Sequence, residues 1–160
     1  MTKILFSHSY FLRFDPQQWD TGQPYPPLGT LYAAALMREN KFEVGLFDTM
    51  FADNPDTVAK RIDECQPDFF VLYDDGFNYL TKMGLTNMRE AGFRMCRIAK
   101  EKGCVVIVSS SDSTDHYEHY LQEGADFILL GEAEYTLLEL ATLISIQDKN
   151  YKQVQGIAFK

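Results

Sequence analysis

Five short apolar runs punctuate the chain: KILFSHS (3–9), FEVGLFD (42–48), DFFVLYDD (68–75), CVVIVSSS (104–111) and DFILLGE (126–132). Each is rich in aromatic or β-branched residues and ends in small or polar ones. Near-continuous apolarity marks strands covered on both faces, whereas a half-exposed strand alternates. Between the runs the apolar period lengthens to three or four residues. Leu28 to Glu39 predicts a first helix; Pro24, Pro26 and Pro27 hold the chain extended before it, and Asn40 is its left-handed stop. Asn54 and Pro55 read as the cap and first position of a second helix with Val58, Ile62 and Cys65 on its apolar stripe. A longer pattern from Leu85 to Glu101 turns Met88, Met95, Cys96 and Ala99 inward and ends at Gly103. Shorter patterns run from about Asp115 to Gln122 and from Glu134 to Ile144, the last with Leu137, Leu138, Ala141 and Ile144 on adjoining turns.

Strand alternating with helix along the whole length predicts an α/β, flavodoxin-like (Rossmann-like) doubly wound parallel sheet of five strands in the order 2-1-3-4-5. The segment VQGIAF (154–159) predicts a short extra strand with no helix after it. Residues 1–148 therefore read as one domain and 149–160 as a short strand or linker leading onward. At 160 residues the chain suits a single core.

Composition changes this picture by exclusion. The net charge is −8 and the fifteen Lys and Arg are scattered, which argues against nucleic acid or an anionic membrane surface as partner. No apolar run approaches the roughly 20 residues that span a bilayer, and MTKILFSHS enters a strand directly, so the expected location is the cytoplasm. Cys65, Cys96 and Cys104 are odd in number and far apart, which suits reduced thiols rather than disulfides or a metal knuckle.

In an open parallel sheet, ligands bind beyond the carboxyl ends of the strands, near the point where strand order reverses. That rule selects Ser7 to Tyr10, Asp48 and Thr49, Tyr73 to Gly76, Ser109 to Ser111, and Gly131 to Glu134. A dinucleotide site needs a glycine-rich turn after the first strand, and FSHSYFLRFD has no glycine. Ser7 and Ser9 are a thin version of a flavin-phosphate cradle. A phosphoacceptor receiver would use Asp74 or Asp75, yet the acidic pair after the first strand and the lysine after the fifth are missing. The run Ser109 to Ser113 reads first as a polar loop capping the next helix, although three small residues also leave room for a ligand. His8 reads as a hydrogen-bonded loop residue, Glu132 and Glu134 as acidic residues at a helix start, and His116 with His119 lacks a third metal ligand. In the first helix Gly29, Ala33 and Ala34 or Ala35 form a stripe of minimal side chains, open to a close-packed sheet or to a planar ligand at the helix start.

Two longer segments together carry a resemblance. YPPLGTLYAAALMRENKFEVGLFDT resembles the opening segment of the cobalamin-binding domains that precede the barrel of cobalamin-dependent radical S-adenosylmethionine (SAM) enzymes, where a Pro-Leu-Gly turn starts the first helix and an aspartate ends the second strand. ADFILLGEAEYTLLELA is similar to that family's stretch after the fifth strand, usually Gly-Glu-Gly-Glu and a leucine-rich helix. The resemblance extends over essentially the whole chain. It implies cobalamin as cofactor, a barrel in cis as partner, and a cofactor-binding role for a chain that is not catalytic by itself, within a methyltransferase or a radical cyclase. The implied contacts are Pro27, Leu28 and Gly29 at the helix start, Ser7, His8 and Asp48 after the first two strands, and Tyr73, Asp74 and Asp75 bordering the ring. Ser109, Ser110 and Ser111 would line the path of the nucleotide tail, and Gly131, Glu132 and Glu134 would complete the rim. The chain departs from the pattern at Ser109, Ser110 and Ala133, where glycines are usual, and lacks the Asp-x-His-x-x-Gly motif that supplies a histidine to cobalt. It also has no Cys-x3-Cys-x2-Cys cluster, so S-adenosylmethionine and the 4Fe-4S cluster belong to the barrel. The competing expectation is a flavodoxin-like module without cobalamin, serving flavin electron transfer or docking a protein through Trp19, Phe77 and Tyr79.

Overall fold

The computed structural model describes residues 1–74 and 85–160. In chain order the elements are β1 (Lys3–Ser7), α1 (Pro16–Thr21), α2 (Leu28–Glu39), β2 (Glu43–Phe47), α3 (Val58–Cys65), β3 (Phe69–Tyr73) and α4 (Leu85–Glu101). They continue with β4 (Val105–Ser109), α5 (Ser111–Asp115), α6 (Tyr117–Gln122), β5 (Phe127–Leu129), α7 (Glu134–Ser145) and β6 (Ile157–Phe159). The strands form one sheet in the order β2-β1-β3-β4-β5-β6, parallel except for β6, which pairs antiparallel with β5. This is the expected 2-1-3-4-5 arrangement with the extra strand added at its edge.

Alternation along each strand sorts the core into two layers. Ile4, Phe6, Phe69, Val71, Tyr73, Ile107, Phe127 and Leu129 pack with Ala33, Ala34 and Met37 of α2 and Leu137, Leu140 and Ala141 of α7. Leu5, Phe70, Leu72, Val106, Val108 and Ile128 face the opposite way, against α3, α4 and α6. Because β3 and β4 are sealed on both faces, each of their large side chains contributes roughly 1.5–3 kcal/mol of burial. The alanines of α2 therefore serve close approach to the sheet: Ala33 is fully buried against it, while Gly29, half-buried, sits at the open end of the helix.

Four local features depart from expectation. The left-handed residue after α2 is Lys41 (φ 71°), one position past Asn40, whose side-chain amide instead donates to the Leu36 carbonyl. The helix expected from about Asp115 begins at Ser111 and divides into α5 and α6, because the Ser110 hydroxyl accepts from the Ser113 N–H and caps it early. Helix α1 was not expected; Asp15 caps it, Pro16 opens it and left-handed Gly22 closes it, all legible signals in a short segment with no apolar stripe. Asn54 does cap, but Pro55–Thr57 form a 3-10 turn ahead of α3.

Candidate functional site

The carboxyl ends of β3, β4 and β5 and the first turns of α2, α5 and α7 converge on an open groove of about 640 Å³. Its walls are Gly29, Tyr73, Asp74, Ser109, Ser110, Ser111, Thr114, Asp115, Gly131, Glu132 and Glu134. Nine of the residues singled out in the sequence thus meet in one place. Thr114 and Asp115 were missed, since they lie in a helix expected to start later. Pro27, buried, and Leu28, 55% exposed, stand beside the groove at the start of α2. Asp75 lies outside the described residues, as do Phe77 and Tyr79. Trp19 is exposed, with the Arg13 guanidinium over its ring.

Tyr73 organises the floor. Its carbonyl accepts from the Thr30 hydroxyl of α2 at 2.6 Å, and its own hydroxyl donates to Glu134 Oε1 of α7 at 2.8 Å. Burial and the neighbouring Glu134 carboxylate push the phenol well above its usual range, so it remains a neutral donor. Asp74 accepts from the Ser9 N–H at 2.6 Å and the Ser9 hydroxyl at 2.8 Å, tying β3 to the loop after β1. Gly131 has φ 76°, where L side chains are strained, and a Cβ there would meet open space. Among the described residues the groove presents carboxylates from Asp74, Asp115, Glu132 and Glu134 and no lysine, arginine or histidine.

Ser7, His8 and Asp48 gather separately, behind this wall. The Ser7 hydroxyl donates to the Phe47 carbonyl at 2.8 Å. The buried His8 ring is held at both nitrogens, Nε2 2.8 Å from Asp48 Oδ1 and Nδ1 3.2 Å from Thr49 Oγ1. The hydrogen bond with His8 outweighs partial burial and holds Asp48 below the usual carboxylate range. Thr49, selected with Asp48 by its place after the second strand, is fully buried, and its hydroxyl lies against the His8 and Tyr10 carbonyls.

Toward α4 the groove adjoins a smaller cavity of about 130 Å³ whose lining includes Arg89, Asp112, His116 and Tyr120. Arg89 grips Asp112 with Nε to Oδ2 at 2.8 Å and Nη2 to Oδ1 at 2.5 Å, and the Tyr120 hydroxyl adds a bond at 2.8 Å. Burial works against ionisation of Asp112, yet these bonds hold its carboxyl below the ordinary range. His116 and His119 stack with centroids 6.2 Å apart. Among the described residues no three His, Cys, Asp or Glu side chains converge as a metal site. Nor is any described helix long and apolar enough to cross a membrane.

Strand order, edge strand and groove define the chain as a flavodoxin-like α/β domain with its ligand-sized opening at the carboxyl edge of the sheet. No protein-family model and no curated protein matches it in sequence. Its fold is similar to that of the cobalamin-dependent S-adenosylmethionine radical enzyme OxsB: with aqua-cobalamin bound the TM-score is 0.71 at 18% identity, covering 99% of this chain. With aqua-cobalamin and S-adenosylmethionine bound it is 0.70 at 18% identity, and with apo OxsB 0.62 at 19%, each again over 99% of the chain. The chain spans about a fifth of the length of OxsB.

Proposed function

We propose that this chain binds cobalamin over the carboxyl edge of its sheet and serves as the cofactor-binding part of a radical SAM enzyme whose barrel lies in cis. The observation that carries the reading is the groove itself, open, flat at Gly29 and Gly131, and, among the described residues, rimmed by acceptors without a cationic side chain. A corrin is a broad macrocycle fringed by carboxamides, whose N–H groups suit the exposed carboxylates of Asp115 and Glu132 and the hydroxyl of Ser111. The fold likeness to OxsB with aqua-cobalamin bound supports the same choice.

The residues present fit such a group. Gly29, Ser111, Gly131 and Glu132 would hold the ring, Pro27 and Leu28 would pack at its side, and Tyr73 with Asp74 would form the wall beneath. Ser7, His8 and Asp48 would hold the loops that frame the site rather than touch the ring. When bound, cobalamin supplies a cobalt centre for methyl transfer or radical cyclisation, and this chain contributes binding, orientation and shielding of one face.

The test is a titration of the purified chain with hydroxocobalamin, read by visible spectrum and by cofactor retained through gel filtration. Wild type is expected to retain cobalamin and to leave flavin mononucleotide in solution. Ser111→Trp, which fills the groove from an exposed position, should weaken binding at least about tenfold with an unchanged melting temperature. A folded wild type that retains no cobalamin overturns the reading.

A further inference from the structure

Resting on that reading, we propose that the chamber between α4 and α5 takes one free propionamide arm of the corrin and so fixes the rotation of the ring over the sheet. The chamber, about 130 Å³, and the groove share Asp74, Ser110, Ser111 and Asp115, so the one opens directly off the other. A ring lying over the groove therefore has part of its rim at the chamber's mouth. The groove offers a flat ring area of contact at Gly29 and Gly131 but little hold against rotation, and an arm lodged in a side chamber supplies that hold. The chamber reaches into the domain as far as Ser9, Met88 and Tyr120, none more than 4% exposed. One water takes roughly 10–15 Å³, so the space admits a short side chain of several heavy atoms. Leu85 and Met88 give it an apolar part that suits the methylenes of such an arm.

The polar groups of the chamber fit a head that both accepts and donates. Arg89 has five N–H donors and spends two on Asp112, and the first-turn N–H groups of Ser111 and Asp112 lie outside the helical bonds of α5, so a carbonyl oxygen has donors to meet. The carboxylates of Asp74, Asp112 and Asp115 line the same space, and a carboxylate oxygen accepts more than one hydrogen bond, so an amide N–H has acceptors. A carboxylate head would find the same donors. Its second oxygen, however, would face three carboxylates, with only Arg89, already paired to Asp112, and the exposed His116 to offset them. The head that uses both halves of the lining is the primary carboxamide.

The experiment titrates hydroxocobalamin and its monocarboxylates, each with one propionamide arm hydrolysed, into wild type, Leu85→Trp and Asp115→Asn, by visible spectrum and equilibrium dialysis. On wild type one monocarboxylate is expected to bind at least about tenfold more weakly than hydroxocobalamin, the hydrolysed arm being the one that enters the chamber. Leu85→Trp fills the chamber from a half-buried position at the start of α4; it should weaken hydroxocobalamin and bring that monocarboxylate within about threefold of it. Asp115→Asn, at an exposed position, should shrink the wild-type penalty on the acid by about threefold or more. If Leu85→Trp does not fold, Leu85→Phe takes its place. Binding of every monocarboxylate within less than about tenfold of hydroxocobalamin, or a penalty that persists unchanged when the chamber is filled, overturns the chamber while leaving the corrinoid reading intact. Failure of a folded wild type to bind hydroxocobalamin overturns both.

Discussion

Replacing Arg89 with methionine tests how the site's α4 wall is held. The Asp112 side chain is 12% exposed and Arg89 23%, and two of the three close hydrogen bonds to the carboxylate come from the guanidinium. Methionine keeps the aliphatic packing but leaves the carboxylate with the Tyr120 hydroxyl and, at 3.9 Å, His116 Nε2. Removing one member of a buried pair costs about 3–5 kcal/mol, and partial exposure with a neighbouring cavity lowers the expectation here to about 2–3 kcal/mol. Urea unfolding followed by circular dichroism reads this as a lower midpoint at constant slope. Adding Asp112→Asn to Arg89→Met should recover about 1 kcal/mol, because the buried charge is then gone. The pH dependence has a definite sign. Asp112 is held below its unfolded value of about 3.9, so its stabilisation is present above that pH and is lost as pH falls through the folded value. The gap between wild type and Arg89→Met should be full near neutrality and close in acid. A loss under about 0.5 kcal/mol at neutral pH, or a gap that does not narrow in acid, would refute the reasoning.

Asp48 should behave in the same direction more weakly, since its side chain is 41% exposed. Its hydrogen bond with His8 holds its carboxyl low, so Asp48→Asn should lower the melting temperature at neutral pH and approach wild type as pH drops below about 4. Gly124→Ala and Gly103→Ala both force alanine into positive φ, but a Cβ at Gly124 would lie 3.3 Å from the Cys96 carbonyl oxygen, whereas at Gly103 it meets nothing within 4 Å. Chemical denaturation should show a loss of about 1 kcal/mol at Gly103 and about 2–3 kcal/mol at Gly124. Cys96 and Cys104 are buried with thiols pushed up by desolvation, so a thiol reagent should label half-buried Cys65 first and reach the other two only on unfolding.

The elements were legible wherever packing imposed a single periodicity. Both faces of β3 and β4 are covered, hence their unbroken apolar runs, and α4 occupies the residues Leu85–Glu101 that its stripe marked out. Legibility failed where hydrogen bonding rather than burial sets the geometry. Helix α1 buries no residue, so no stripe announced it, and α5 begins where the Ser110 hydroxyl caps it rather than where apolar spacing starts. The groove followed from strand ends alone, because parallel strands carry their following loops to one edge. The roles of individual residues did not. Ser7, Ser110 and His8 all sit after strands as ligand contacts would, yet each spends its polar atoms on the protein itself.

That internal use of polar groups has a consequence for what the edge recognises. Several donors near the edge are used internally: the Ser9 N–H goes to Asp74, the Ser113 N–H to Ser110 and the Thr30 hydroxyl to the Tyr73 carbonyl. Among the described residues, exposed Ser111, Asp115, Gly131 and Glu132 face solvent along the groove. Exposed carboxylates suit ligands rich in N–H groups, and the floor beneath them is set by Tyr73, buried and bonded to Glu134. Tyr73 packs in the core and, with Glu134, lines the groove, so substitutions at either are coupled to stability. Glu134→Gln separates charge from hydrogen bond: it keeps an acceptor for the phenol while removing a charge, so the fold should hold while the phenol's titration moves down toward its ordinary value.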